Sequence, residues 1–426
     1  AVRTKNLSCY GYSKPTSPNI DNLAKEGILF EDAFSCSNAT DASLTTIFSG
    51  MYPMSHGVLS HGGRWLGRLM GEVDTKKIDE VGIRFLPEIL KSKGYTTLAI
   101  DWLGRWHSRG YDYYSGMMRH AKPISFPVTR VDSALRVLSR RYVAFQKPTM
   151  IDDAHLVTSQ ARNLITKYHD KKFFLFIHYW DTHAPYAPPT NFYKNIGEGG
   201  ANKILRGIAN PSSWKKRNWK AQEYIARYDA CIRYVDHEVG KLVEHLETLG
   251  ILDRTLIVLT SDHGESLTEH GIFFRHHGLY DVSLHVPIII RYPGFPKNKR
   301  IKGFVQHFDI VPTLFELLKI KNSDFDGKSV MPLIHEEVDQ LHSAVYAEEA
   351  LYERKRTIRT ATHKYIHALT RKGAVCRHCK RIHGGMEELY DLKEDPNETK
   401  NIVKEKSDVT ATLKKDLTEW IDALKF

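Results

Sequence analysis

Short apolar runs alternate along this chain with longer stretches in which apolar positions recur every three to four residues, the two periods that mark strands and helices. Leu256-Ile257-Val258-Leu259 predicts a strand, and the aromatic and aliphatic run Phe173 to Tyr179 predicts another, buried on both faces. Thr96 to Ile100, the segment bracketed by His285 and Arg291, and Ala344 to Ala347 predict further strands. Helical spacing covers Leu86 to Lys93, Val131 to Phe145, Asp153 to Tyr168, Gln222 to Leu249 and Val409 to Leu424, with Gly94 and Gly250 where helices stop. Ser17-Pro18 opens a short helix over Ile20 to Lys25, and Gly27 stands at its C-terminal cap.

This alternation predicts an α/β fold with a mainly parallel central sheet covered by helices on both faces. The character changes near residue 340, which divides the chain into a large domain over 1–340 and a small C-terminal α+β subdomain over 341–426. Within the subdomain, Arg354 to Arg381 is strongly basic. The stretch Ala187 to Lys220, carrying Trp214 and Trp219, has no clean period and predicts a surface excursion near the site.

Composition narrows the classes. No apolar run in the 426 residues approaches the roughly 20 needed to span a bilayer, and no signal-peptide pattern opens the chain. The net charge of +11 attracts anions without saying which: nucleic acid, an anionic membrane surface, or a small sulfo- or phosphoester. Five cysteines argue against a disulfide scaffold and for a reducing, cytoplasmic compartment. Cys376, Cys379 and His383 have the C-x2-C-x3-H spacing of half a zinc knuckle, to be read either as a small structural zinc site or as free surface thiols.

Ser261-Asp262-His263-Gly264-Glu265 follows the predicted strand at 256–259, so Asp262 and His263 reach the rim of the sheet, where open α/β folds bind ligands. Asn38 to Ser43 precedes the apolar stretch Leu44 to Phe48, which puts Thr40 at a helix N-terminus. Taken singly, each segment reads equally as a helix cap. Together they suggest more, because an alkoxide near neutral pH needs strong help. The helix dipole supplies only about 0.3–1 kcal/mol. A bound cation lowers the pKa of water from about 15.7 to about 7, and a shift of that size is worth on the order of 12 kcal/mol.

These residues resemble the sulfatase branch of the alkaline phosphatase superfamily, over nearly the whole chain. Thr40 stands at the nucleophile position of a C-x-P-S-R-like pattern, with Ala42 for Pro, Ser43 for Ser and Leu44 for Arg, continuing through Ser49-Gly50, Pro53 and His56-Gly57. Leu7 to Tyr12 and Thr16 to Ala24 match the upstream context, and Gly104-Arg105-Trp106-His107 is similar to the family's G-K-W-H. Asp181-Thr182-His183-Ala184-Pro185-Tyr186 resembles the histidine-bearing loop, Ser261 to Gly271 the metal loop, and Glu388 to Leu392 with Asp395-Pro396 the C-terminal signature. The resemblance implies a three-layer αβα alkaline-phosphatase-like fold and one divalent metal ion (calcium, manganese, magnesium or zinc) on Asp262, His263 and Thr40. It implies that Thr40 attacks, that His107 orients or deprotonates it, that Arg105 and His183 hold the ester oxygens, and that His276 serves the leaving group, with His277 equally placed by spacing.

Two departures shape the expectation. The family's sulfatases carry a Cys or Ser that becomes formylglycine, and Thr40 cannot follow that route. With Leu44 replacing the Arg that supports the aldehyde hydrate, this favours a phosphoester or phosphodiester hydrolase or transferase working through phosphothreonine. The alternatives are a sulfuric ester hydrolase and a non-catalytic anion or nucleic-acid binder using the basic segment, which as a charge run more often forms a solvated face. The sequence also starts just past the strand that in relatives ends in a metal-binding Asp, so a fragment lacking that strand is expected. The expected partner is a small anionic ester, with oligomeric state open.

Overall fold

The computed structural model describes residues 1–61, 82–101, 103–115, 153–184, 186–194, 221–321 and 324–424, with 64–65, 68–69, 78 and 80 besides. Its first sheet contains β1 (Ile28–Phe34), β5 (Ile257–Thr260), β6 (Ile288–Arg291) and β7 (Lys299–Gln306), in the order β5-β6-β1-β7. β1 and β7 are parallel, whereas β6 runs antiparallel to both β1 and β5. A second sheet, all parallel, has β2 (Thr96–Ile100) between β3 (Tyr113–Tyr114) and β4 (Phe173–Ile177).

Strand alternation sorts the side chains into two helical layers. Ile28 and Phe30 of β1 and Ile288 and Ile290 of β6 join the cluster formed by α2 (Thr40–Ser49), α3 (Leu86–Ser92) and α6 (Ile310–Leu317). Leu29 and Ile289 point the other way, onto α1 (Pro18–Lys25) and α5 (Ala221–Thr248). α4 (Ala154–Tyr168) covers β2 on that same side through Val157, Ala161 and Leu164. Each such Ile, Leu or Phe contributes about 1.5–3 kcal/mol by leaving water. β4 and β5, in different sheets, share both layers: Phe174, Phe176 and Val258 on the first, Phe173, Leu175 and Ile257 on the second.

Phe173 to Tyr179 departs from expectation. Its strand stops at Ile177 and every residue in it is half-buried; among the described residues β4 pairs with β2 alone. The helix expected at Val131 to Phe145 lies outside the described residues, as do Trp214 and Trp219; of the expected excursion from Ala187, a helical turn at Thr190–Lys194 is described. Among the described residues no helix is long and apolar enough to cross a membrane.

The C-terminal part forms an antiparallel sheet, β8 (Val345–Glu349), β9 (Lys355–Arg359), β10 (His363–Ala368) and β11 (Glu387–Asp391), packed on α7 (Ser407–Ala423) through Ile358, Tyr365, Leu389, Leu413 and Leu417. Its other face meets Phe34, Phe304 and Tyr280 of the larger part. The basic segment is not simply a solvated face: Lys355 and Lys364 are buried, the first against Glu353 and Glu388, the second against Asp281 and Glu398.

Candidate active site

α2 begins at Thr40, with Ala39 as its cap and Gly50, at φ +69°, closing it in the left-handed conformation that glycine adopts without strain. The helix is buried along its whole length, so the Thr40 hydroxyl faces protein. The loop after β5 delivers Asp262 and His263 opposite it. Gly264 is required there, because a Cβ would stand 2.2 Å from the Val282 carbonyl. Thr40 Oγ1 lies 3.3 Å from His263 Nε2, and the same nitrogen is 3.2 Å from Asp262 Oδ2. The amino group of Ala1 meets Asp262 Oδ1 at 3.1 Å, and Val2 N–H donates to Ser261 Oγ, so the first residues run along this loop.

Three imidazoles share one arrangement. His263 Nδ1–H donates to the Gly264 carbonyl (2.8 Å), His183 Nδ1–H to the Ala184 carbonyl (2.8 Å) and His276 Nδ1–H to the Asn38 carbonyl (2.5 Å). A carbonyl only accepts, so Nδ1 carries the proton and Nε2 keeps a bare lone pair. The rings are neighbours: His276 stacks on His263 at 4.1 Å and meets His183 edge-on at 5.5 Å, while His183 stacks on Trp180. Burial pushes His183 down to about 3, His263 down to about 4, and His276 well below the usual imidazole range. Asp262 behaves oppositely. Burial pushes its carboxyl up, but the neighbouring imidazoles of His263 and His178 act to hold it well below the ordinary carboxylate range.

The donor set at Thr40, Asp262 and His263 is a buried hydroxyl, an ionised carboxylate and a neutral imidazole with its lone pair presented. That set suits a hard or borderline divalent cation. His183 and His276 stand beside it with their Nε2 atoms available to an ester.

Arg105 and His107 reach the site by a different contact from the one expected. Arg105 Nη2 donates to both oxygens of Asp41 (2.6 and 2.7 Å), and His107 Nε2 lies 3.2 Å from Asp41 Oδ1, so these side chains engage the residue after Thr40. His61 Nδ1 approaches Asp41 from another side at 3.7 Å. The cause is the fully buried carboxylate, which gathers the positive groups within reach. Burial pushes Asp41 up, yet hydrogen bonds from His107 and His61 hold it well below its usual range. Sequence reasoning missed Asp41 and His61; an acidic residue in the first turn of the helix that Thr40 opens was the available signal. His277, its ring turned toward His383 (centroids 5.5 Å apart), is a partner of the C-terminal turn.

Comparison with known proteins now adds to this geometry. The family model described as Sulfatase matches residues 1–320, and one described as N-sulphoglucosamine sulphohydrolase, C-terminal, matches 268–423. The chain is 23% identical to an N-acetylglucosamine-6-O-sulfatase of Bacteroides thetaiotaomicron over 94% of this chain and 80% of that protein. It is 26% identical to an arylsulfatase of Clostridium perfringens over 91% of this chain and 85% of that one. In fold it is similar to the crystal structure of the phosphonate monoester hydrolase of Agrobacterium radiobacter, with a TM-score of 0.75, 20% identity, and coverage of 100% and 94%.

Proposed function

Because the chain belongs to the sulfatase family of the alkaline phosphatase superfamily, and is therefore a sulfatase-like hydrolase, we propose that it cleaves sulfuric esters carried on sugars, with Thr40 as the attacking group. The observation that carries this reading is the convergence of the buried Thr40 hydroxyl on the Asp262–His263 pair, ringed by lone-pair-bearing imidazoles. The relatives' names supply the ester class: N-acetylglucosamine-6-O-sulfatase and arylsulfatase.

Enzymes of this family generally use a divalent metal ion. Asp262, His263 and Thr40 would hold it here, and its charge would supply the pKa shift that a threonine hydroxyl needs. Thr40 Oγ1, its proton released to solvent as the hydroxyl ionises, attacks sulfur, the bond from sulfur to the sugar oxygen breaks, and His276, having taken a proton from solvent on Nε2 once the anion is bound, passes it to the departing alkoxide. Water then hydrolyses the Thr40 sulfate. His183 and Arg105 steady the remaining sulfate oxygens, Arg105 dividing its guanidinium between them and Asp41. His107, fixed on Asp41, orients the start of α2. Since burial keeps His183 and His276 neutral in the free protein, an arriving anion brings the charge that lets them protonate. A cytoplasmic location belongs to this reading, the five cysteines all being free.

A second reading, a phosphoester or phosphodiester hydrolase, is favoured by one specific feature: Thr40 and Leu44 replace the residues that make and support formylglycine. Paired assays decide. Purified protein with calcium, manganese, magnesium or zinc is given an aryl sulfate, an aryl phosphate and 6-O-sulfated N-acetylglucosamine. Faster sulfate release is expected; faster phosphate release would install the second reading, and no turnover of any ester would sink both.

A further inference from the structure

A second cluster of donor atoms lies where the C-terminal turn meets the loop that carries His276. Cys376 to Lys380 folds into a tight reversal: Val375 and Ile382 form a bridge, Cys376 N–H donates to the Arg381 carbonyl, Lys380 N–H donates to the Cys376 carbonyl, and Lys380 takes φ +63°. Burial pushes the Cys376 thiol up to about 12, and the turn sets against it the backbone N–H groups of Cys379 and His378, which point at the sulfur. His383 donates from Nδ1 to the His270 carbonyl at 3.2 Å, so its Nε2 lone pair faces inward and lies 3.1 Å from Cys379 Sγ. Fixing one ring nitrogen on a carbonyl is how proteins aim the other at a metal.

His277 arrives from outside the turn. It is 2% exposed, and its Nδ1 has no hydrogen-bond partner, although burying an unsatisfied ring nitrogen costs about 1–3 kcal/mol. Donor atoms of His277, Cys376 and His383 all lie within 4.8 Å of one another. Donors on a tetrahedral zinc stand about 3.4–3.8 Å apart, given Zn–N near 2.1 Å and Zn–S near 2.3 Å. Cys379 is not one of that trio, and its Sγ reaches it through His383 Nε2, 3.1 Å away.

We propose that Cys376, Cys379, His383 and His277 bind a zinc ion that clamps the C-terminal turn to the active-site loop. Three ligands belong to the C-x2-C-x3-H pattern, and the fourth is the neighbour in sequence of His276, whose ring stacks on His263. The chain follows with Gly278, whose N–H donates to Glu349 of β8, so the clamp holds the loop where it crosses to the C-terminal sheet. Binding two thiolates and two imidazoles uses a lone pair that the fold otherwise leaves buried and unmatched.

The test reads the metal, not turnover, so its outcome is separate from that of the sulfatase assignment. Full-length protein, purified under reducing conditions, is loaded with cobalt in place of zinc, and its absorption is compared with that of the Cys376→Ser and Cys379→Ser variants. The catalytic ligands proposed above include no sulfur, so a thiolate-to-cobalt charge-transfer band reports this site alone. We expect that band in the parent chain, a weaker band in Cys376→Ser and in Cys379→Ser as each removes one of the two thiolates, its loss when both are replaced, and displacement of cobalt by zinc. A His277→Ala variant should keep the band but with altered visible transitions, as one nitrogen ligand gives way to water. Absence of the band in the folded, reduced parent chain overturns the proposal, as does a Cys376–Cys379 disulfide that persists under reduction, or a His277→Ala spectrum identical to the parent's.

Discussion

Two of the places where titratable groups are buried in this molecule, the active site and the C-terminal part, are arranged on opposite plans. In the active site, His183, His263 and His276 are neutral, each tied at Nδ1 to a carbonyl and each keeping Nε2 unprotonated. In the C-terminal part, buried lysines close on carboxylates: Lys364 Nζ lies 2.5 Å from Asp281 and 2.6 Å from Glu398, and Lys355 Nζ lies 3.0 Å from Glu353 and 2.9 Å from Glu388. The second plan sets its charges against one another as ion pairs; the first leaves lone pairs for something that arrives. Burial alone therefore does not mark a functional site, but buried polar atoms with valence to spare do.

The sharpest way to separate the two plans is to remove one group from each. Thr40→Ala should lower turnover by at least about a thousandfold, as loss of a nucleophile does, while the melting temperature moves little. Retained turnover in a kinetic assay would take Thr40 out of the chemistry. Lys364→Met should do the reverse. Burying Asp281 and Glu398 without their shared ammonium should cost about 3–5 kcal/mol, read by urea denaturation, with kcat unchanged in the folded protein. A variant that stays as stable as the parent would show that this pair does not hold the packing together.

Acid should pull the two regions apart. Burial lowers His183 to about 3 and His263 and His307 to about 4. Unfolded histidines take up protons below about 6.5, so across that window the unfolded state binds more protons than the native one, and stability falls as pH falls. The C-terminal carboxyls have the opposite sign. Burial raises Glu398 to about 7 and Glu353 to about 8, so the native state binds more protons there, and stability is lost as pH rises. Glu265, raised to about 8 beside the active site, offsets part of the histidine effect. Hydrogen exchange at pH 7 and then pH 5, corrected for intrinsic rates, should show protection falling on acidification around β5 and its following loop and rising in β9 and β10. A uniform change across both regions would break the comparison.

The sequence disclosed these regions unequally, for physical reasons. Thr40, Asp262 and His263 were legible because a strand end and a helix start constrain which residue types can stand there, and α1, α4 and α5 because their apolar faces repeat with helical period. β1, β7 and α6 escaped notice. Glu31 and Asp32 interrupt the apolar run of β1, and β7 begins on Lys299 and Arg300. In α6, Ile310-Val311-Pro312 reads as a breaker, although proline is tolerated in a first turn. Lys355 and Lys364 were read as surface charge because the carboxylates that justify their burial come from distant segments, Asp281 among them. Motif placed His107 on Thr40 and Arg105 on the ester oxygens, which fixes neighbourhood but not that both side chains close on Asp41.

Asp41 is where the two plans meet, and it predicts the smallest effect. It lies in the active site, directly after Thr40, yet it is closed in the manner of the C-terminal pairs by Arg105, His107 and His61. Arg105 is about one-third exposed, its side chain at 34%, so solvent screens its pair with Asp41 and an ester could draw the guanidinium away. Asp41→Asn keeps the shape and removes the charge. If Asp41 positions Arg105 and His107 for catalysis, kcat/KM should fall by about tenfold, equivalent to about 1.4 kcal/mol, with the loss shared between kcat and KM. If Asp41 only closes a buried charge, the variant should lose stability and keep kcat/KM. We expect the first, since the anion that fixes Arg105 and His107 beside the Thr40 hydroxyl also decides where those side chains point when substrate arrives.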